Sequence, residues 1–358
     1  MIRAIDSIRD DHLTQVAASV PFISIVMPVR NEEACLGKLL GQLFEQNYPQ
    51  ERYEVLVIDG GSTDGTRGIV QELLPTRKNL RLLDNPRRLS SAARNIGVQA
   101  AQGELIVVVD GHCELPNNDY LRNLAAAFER SGADCLGRPQ PLRVASPSYL
   151  ERAIGLARAS KLGHHPASYI YGSNEQRVPA HSVAVAYRRR VFEQVGLFDE
   201  RFDACEDVEL NHRVDQSGMC CLLVPELAVS YRPRGSLRAL LRQLVRYGRG
   251  RMRLLRKHPD TLSFPGLMPA FALVGAAIGW VGSFVWSWWA VAYLAAIVAY
   301  ILLVASTSLF IACRVGHMRL FPTLCVVFVT IHFGAALGMI QEECHRMFYA
   351  PQQAERSE

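Results

Sequence analysis

Val107-Val108-Val109-Asp110-Gly111-His112 is a run of apolar, β-branched residues cut off by an acid, a glycine and a histidine. Such a run reads as a central strand of a parallel sheet, buried on both faces. Ligands of open α/β sheets bind beyond the carboxyl ends of the strands, so Asp110 and His112 are expected in a binding crevice. Two residues apart at a strand tip, a carboxylate and an imidazole can share one divalent cation. Turn chemistry alone would also place Asp and Gly there, so the neighbouring sequence has to decide.

Working outward, Ile23 to Val29 is expected to be a strand, and Leu36, Leu39, Leu40, Leu43 and Phe44 recur at the spacing of one apolar helical face. Glu54 to Ile58 reads as a second strand and Thr66 to Leu74 as a helix. Leu80 to Leu83 is a short strand, Ser90 to Ala101 a helix with Ser90 as its expected cap, and Glu104 to Val109 the strand of the opening stretch. Strands alternating with helices predict a doubly wound, mostly parallel α/β sheet. Past about Gly137 the pattern loosens. Ser182 to Tyr187 suits another strand, Asp207 to Ser217 a short helix, and Ser236 to Lys257 a long basic one.

The chain has 358 residues, 49% of them hydrophobic, and a net charge of only +5. The apolar excess sits mostly after Phe264, in Phe264 to Trp286, Trp288 to Cys313 and Leu320 to Ile340. Each is near or above the roughly 20 residues that cross a bilayer. Trp286, Trp288 and Trp289 suit an interfacial aromatic belt, and Pro265 and Pro269 leave the first stretch open to a re-entrant path. Arg232, Arg234, Arg238, Arg242, Arg246, Arg249, Arg251, Arg253, Arg256 and Lys257 crowd the approach to these stretches. Because hydrophobic spans follow at once, they read as a cytoplasmic juxtamembrane flank rather than a nucleic-acid surface. The nine cysteines lack a CxxC pattern, which argues against a zinc site or disulfide framework and suits a reducing compartment. No apolar core marks the first twenty residues as a signal peptide, so the catalytic part is expected to stay inside the cell.

Pro28-Val29-Arg30-Asn31-Glu32 closes the first strand where a dinucleotide-binding protein would carry G-x-G-x-x-G, and that absence removes a dehydrogenase. Asp59-Gly60-Gly61-Ser62-Thr63-Asp64-Gly65 closes the second strand. A carboxylate there can accept hydrogen bonds from a ribose or a nucleobase, and the glycines let the backbone come close.

Taken in order, Val26-Met27-Pro28 with Asn31-Glu32, Val57-Ile58-Asp59 with Ser62 and Asp64, Ala93-Arg94-Asn95 with Gly97, and Val109-Asp110-Gly111-His112 form a set. Gly196 with Phe198-Asp199-Glu200, then Glu206-Asp207, then Gln243 with Arg246-Tyr247 extend it. The set resembles the inverting glycosyltransferases of family 2, which have the GT-A fold, over about Phe22 to Lys257. A catalytic domain followed by a few C-terminal spans is most similar to exopolysaccharide enzymes of the succinoglycan β-1,3-glucosyltransferase type. The resemblance implies a donor site of Pro28, Asn31, Glu32, Asp59, Ser62, Arg94, Asn95, Asp110, Arg246 and Arg249. It also implies that Asp207, with Glu206 beside it, takes the acceptor proton, and that Asp110 and His112 hold a divalent cation, Mn²⁺ or Mg²⁺. His112 stands where the family usually has Asp; histidine ligates Mn²⁺ well and Mg²⁺ poorly.

The expected organisation is a polar leader at 1–21, a GT-A domain at 22–235, a basic interface helix at 236–259, a membrane domain of two to three helices at 260–345, and a polar tail at 346–358. The expected activity moves a hexose from a nucleotide sugar, most simply a UDP-hexose, to a polyprenyl-diphosphate-linked saccharide at the cytoplasmic face of a bacterial inner membrane. Membrane lipid is an expected partner and nucleic acid is not. The alternatives are a processive polysaccharide synthase and an inactive nucleotide-sugar-binding scaffold.

Overall fold

The computed structural model describes residues 20–142, 147–165 and 168–354. Most of the expected leader and the last four residues of the tail lie outside them. The chain divides into two units: Met1–Pro141, Tyr169–Arg201 and Glu206–Tyr231 form the first, and Leu142–Ser168, Phe202–Cys205 and Arg232–Glu358 the second.

The first unit is built on an eight-stranded sheet. In chain order its strands are β1 (Ile23–Val29), β2 (Tyr53–Asp59), β3 (Leu80–Asp84), β4 (Leu105–Val108), β6 (Cys135–Gly137), β7 (Gln176–Arg177), β8 (Ala184–Arg188) and β9 (Cys221–Leu223). They lie side by side in the order β3-β2-β1-β4-β8-β6-β9-β7. β3, β2, β1 and β4 run parallel, and every residue of β2 and β4 is buried, as strands covered on both faces must be. Alternation along β1 feeds two cores: Ile23, Ile25, Met27 and Val29 join one with Leu36, Leu39, Leu40 and Leu43. Val26 joins the other with Leu56, Ile58, Ala93 and Val98. On that second face the Ser90–Ala100 helix lies so close that a Cβ on Gly97 would meet Val26 Cγ1 at 2.3 Å. Only glycine permits that approach.

Three expectations shift. β8 enters antiparallel between β4 and β6, so the sheet is mixed although mostly parallel. β4 ends at Val108, one residue short of the predicted end; after Val109 N–H donates to Val26 O the chain leaves the ladder. Ser90 does not cap its helix, because the cap position is Leu89, with no side-chain bond. A small second sheet pairs β5 (Cys113–Glu114) with β10 (Ser230–Tyr231), and it anchors the chain just beyond His112.

In the second unit the Tyr149–Arg158 helix starts with a Ser148–Glu151 capping box, and Ser236 caps the basic helix Leu237–Lys257. Phe264–Gly282, Ser287–Val315 and Met318–Met347 are long and apolar enough to cross a membrane. The first is one unbroken helix with Pro269 inside it. The basic helix crosses the Phe321–Ala354 helix on glycine: a Cβ on Gly248 would meet Ala335 O at 2.3 Å, and one on Gly338 would meet Val245 O at 2.1 Å. The flank is also less solvated than its charge suggests. Arg253 engages Asp203 at 2.6 Å and both oxygens of Glu342, and Arg256 also reaches Glu342.

Candidate active site

The tips of β1, β2 and β4 present three loops, and hydrogen bonds lock the first two together. Asn31 takes a left-handed backbone (φ 56°), which asparagine tolerates better than most residues. Its N–H donates to Ser62 Oγ at 3.0 Å, and its Oδ1 accepts from Thr63 N–H at 2.8 Å. Glu32 N–H donates to Thr66 Oγ1 at 2.7 Å. Asp59 is 3% exposed; its carboxylate accepts from Ser62 Oγ at 2.6 Å, from Ser62 N–H at 3.1 Å and from Arg67 at 3.3 Å. Pro28 is aligned with Ile58 in the β1–β2 register. Asn31, Asp59 and Ser62 therefore form one bonded cluster.

Beyond β4 the chemistry is ionic. His112 Nδ1 lies 2.8 Å from Glu32 Oε1, with the imidazole edge-on to Tyr231 at 4.4 Å between centroids. A carboxylate that holds one imidazole nitrogen is the usual support of a metal-ligating histidine, and ligation would then fall to Nε2. One carboxylate and one supported imidazole fit a Mn²⁺-like cation well and Mg²⁺ less well. Burial resists ionisation of Asp110, yet the positive charges of Arg94, His112 and Arg138 outweigh it and hold its carboxyl below the usual range.

Arg94 organises the acids. It sits on the Ser90–Ala100 helix, buried, with Nη1 3.1 Å from Glu206 Oε1 and Nη2 3.7 Å from Asp110 Oδ1. Burial works against its charge, but Glu206, Asp110 and Asp207 together raise its pKa. The guanidinium also lies 5.5 Å from the Phe198 ring centroid. Next to it, Asn95 Nδ2 donates to Phe198 O and to Glu200 Oε1, each at 2.9 Å, and Phe198 N–H returns a bond to Asn95 Oδ1 at 2.9 Å. One helix thus carries the cation and the clamp for the Phe198-Asp199-Glu200 loop. Glu206 and Asp207 open the Glu206–Gln216 helix and face opposite fates. Glu206 is buried against Arg94, whereas Asp207 is exposed and accepts from the adjacent Val208 N–H at 2.8 Å.

Of the sequence-derived residues, Arg94, Asp110 and Glu206 meet in one ionic group with the charge of the exposed Asp207 acting on Arg94, Glu32 meets His112, and Asn95 supports the loop beside them. Arg246 and Arg249 belong to the second unit, on the basic helix. Arg246 is exposed, and Arg249 donates to Gln341 at 2.8 Å. Sequence reasoning missed Arg138. It is 1% exposed, donates to Tyr120 Oη at 2.6 Å and to Val108 O at 3.2 Å, and its charge favours the ionised form of Asp110. The signal was an arginine directly after the buried strand Cys135–Gly137, a position an unpaired charge rarely takes.

Residues 24–196 match the family described as Glycosyl transferase family 2. Succinoglycan biosynthesis protein ExoA of Rhizobium meliloti (strain 1021) is 32% identical over 256 residues, spanning 71% of this chain and 75% of the relative. A dolichyl N-acetyl-alpha-D-glucosaminyl phosphate 3-beta-D-2,3-diacetamido-2,3-dideoxy-beta-D-glucuronosyltransferase of Methanococcus voltae is 26% identical over 252 residues, 66% of this chain and 74% of the relative. Among solved structures, the mannosyltransferase PcManGT from Pyrobaculum calidifontis, in complex with GDP-Man and Mn²⁺, superposes with a TM-score of 0.59 at 21% identity, covering 91% of this chain and 89% of that one. At that identity the likeness speaks for the fold.

Proposed function

The chain belongs to glycosyl transferase family 2, and from that premise we propose that it moves a hexose from a nucleotide sugar, most simply a UDP-hexose, to a lipid-linked saccharide, with inversion at the anomeric carbon. The observation that carries the reading is the split between two adjacent carboxylates. Glu206 is buried and neutralised by Arg94, while Asp207 stands exposed beside it.

In the proposed step the acceptor hydroxyl attacks the anomeric carbon from the face opposite the diphosphate. The new glycosidic C–O bond forms as the bond to the diphosphate oxygen breaks. The hydroxyl proton passes to Asp207, and the nucleoside diphosphate leaves with the electron pair. Glu206 fixes Arg94, and Arg94 in turn faces Asp110. Asp110 and His112 would hold a divalent cation, Mn²⁺ by their donor types, and that cation would neutralise charge gathering on the departing diphosphate. The Asn31–Asp59–Ser62 cluster shapes the crevice for the nucleoside, and Pro28, Glu32 and Asn95 position its walls. Arg246 and Arg249 remain candidates for diphosphate contact, with a bidentate fork suited to it.

The lipid-linked acceptor is supported by the dolichyl phosphate in the name of the Methanococcus relative and by three helices long and apolar enough to cross a membrane. A basic flank ahead of the first of these supports a bacterial inner-membrane, multi-pass protein with its catalytic unit in the cytoplasm. A role in exopolysaccharide assembly follows the succinoglycan relative.

The test is incubation of the purified full chain with radiolabelled UDP-, GDP- and dTDP-hexoses and a bacterial lipid extract. Label entering the organic phase from a UDP-hexose is the expected result. Label from GDP-mannose alone would replace the nucleoside, and water-soluble product alone would remove the lipid acceptor.

A further inference from the structure

A buried cation in the first unit takes no part in the proposed step. Arg138 follows β6 directly, and its side chain is buried. Nη1 donates at 2.6 Å to the Oη of Tyr120, the first residue of the Tyr120–Ser131 helix. Nη2 donates at 3.2 Å to Val108 O, although β8 lies between β6 and β4 in the sheet. Nε is buried without a hydrogen-bond partner. Both acceptors are neutral, and among the described residues no carboxylate comes within ion-pair distance of this guanidinium. Arg94, by contrast, lies 3.1 Å from Glu206. Taking a charge out of water is costly, so buried charges are ordinarily paired. Arg138 is kept without a pair.

Its neighbours give that charge a use. Val108, whose carbonyl it holds, ends β4 just ahead of Asp110 and His112. The charge of Arg138 favours the ionised form of Asp110. By the same law it repels a cation that settles on Asp110 and His112, and it attracts a diphosphate brought up to them. Burial strengthens both effects, because screening by salt and water is weak there. We propose that Arg138 is a positioning residue for loading the site: its fixed charge near Asp110 keeps a divalent cation only weakly held on Asp110 and His112 until the nucleotide diphosphate is there. The proposal rests on Asp110 and His112 as the cation's ligands, and on no choice of sugar or acceptor.

The probes are Mn²⁺ alone and UDP alone, added to the full chain in an uncharged detergent. Loss of the free-ion EPR signal reads Mn²⁺ binding without nucleotide, and calorimetry in EDTA reads UDP binding without metal. Arg138→Met should tighten Mn²⁺ about tenfold and weaken UDP several-fold. Opposite shifts are the mark of a charge, because a damaged crevice would weaken both. Arg138→Lys keeps the charge and should stay near wild type in both measurements. Arg138→Met combined with Tyr120→Phe strands no buried hydroxyl, so it should show the same two shifts even where the single variant folds poorly. Adding Asp110→Asn to Arg138→Met should abolish the gain in Mn²⁺ affinity. A fall in both affinities in Arg138→Met, no change in either, Arg138→Lys behaving as Arg138→Met, or a Mn²⁺ gain that survives Asp110→Asn would each overturn the proposal and leave the cation's ligands as assigned or to be reassigned by the last result. Wild type that takes up no Mn²⁺ even beside UDP is a different failure: it would remove the cation assignment itself, and this proposal with it.

Discussion

An arginine–carboxylate cluster in the first unit and one in the second differ in charge balance. Around Arg94 three carboxylates, Asp110, Glu206 and Asp207, bear on a single guanidinium. Around Glu342 two guanidiniums, Arg253 and Arg256, converge on one carboxylate, and Asp203 takes the remaining face of Arg253. The second cluster is closed, each charge answered by another, and it joins the basic helix to the last apolar helix. The first is open: three acids act on the one guanidinium of Arg94, and one of them is exposed. An excess of acid in a crevice has a use for a cation and for a proton. A closed cluster has only its own stability to contribute.

The sharpest test is Asp207→Asn. It keeps shape and the bond to Val208 N–H but cannot take a proton, so turnover should fall roughly 10²- to 10⁴-fold. Because Asp207 is exposed, thermal unfolding should stay where it was and nucleotide-sugar affinity should be little changed. A variant that keeps a third of its transfer rate would remove Asp207 as the base and with it the claim that the open cluster is catalytic.

Arg94→Met addresses the other half of that cluster. Glu206 would be left buried and unpaired, costing about 3–5 kcal/mol of stability in denaturant unfolding. Adding Glu206→Met should return much of that loss, since the desolvated charge goes with it, but should not return activity. Recovery of activity in the double variant would make Arg94 and Glu206 a structural pair like the one in the second unit.

Glu342→Gln is the matching change in the closed cluster. It replaces ionic bonds to Arg253 and Arg256 by neutral ones, at a cost of about 1–3 kcal/mol. The affinity for nucleotide sugar, measured by calorimetry, should not move. A large fall in that affinity would mean that the second cluster acts on the site as well as on the helices.

How far these clusters were legible in the sequence follows from how far apart their members lie. The β1, β2 and β4 strands and the Leu36-Leu39-Leu40-Leu43 face were readable because burial repeats at a short period. The Asp59–Ser62 bond was within reach for the same reason: both residues sit in one turn. Arg94 and Glu206 are joined only by folding, and no local spacing announces their pairing; they could be named through resemblance but not connected. Glu342 lies just past the apolar stretch Leu320 to Ile340, and no spacing in the sequence ties it to Arg253 and Arg256. β8 was legible as a strand, but its antiparallel direction lies in its pairing with β4 and β6, which no local spacing announces. Arg138 shows a different limit. Its meaning lies in the Val108 carbonyl and the Asp110 carboxylate around it, and these reach it from another strand.

The smallest expected effect separates the two donors of the open cluster. His112 is the residue that departs from an all-oxygen cation site, and its Nδ1 is held by Glu32. An imidazole favours later, softer metals, so Mn²⁺ should support transfer better than Mg²⁺, by several-fold at equal concentration. His112→Asp supplies an oxygen in place of nitrogen and should narrow that ratio towards one while preserving transfer, because Asp110 and Asp207 are untouched. The change also removes the partner of Glu32 and adds a negative charge, so the fully metal-depleted variant should bind nucleotide sugar more weakly than wild type. Transfer rates with Mn²⁺, with Mg²⁺ and in EDTA, measured for both proteins, decide it. A Mn²⁺ to Mg²⁺ ratio that does not move, or full activity in EDTA, would take the cation away from Asp110 and His112 and leave the open cluster with a proton as its only cargo.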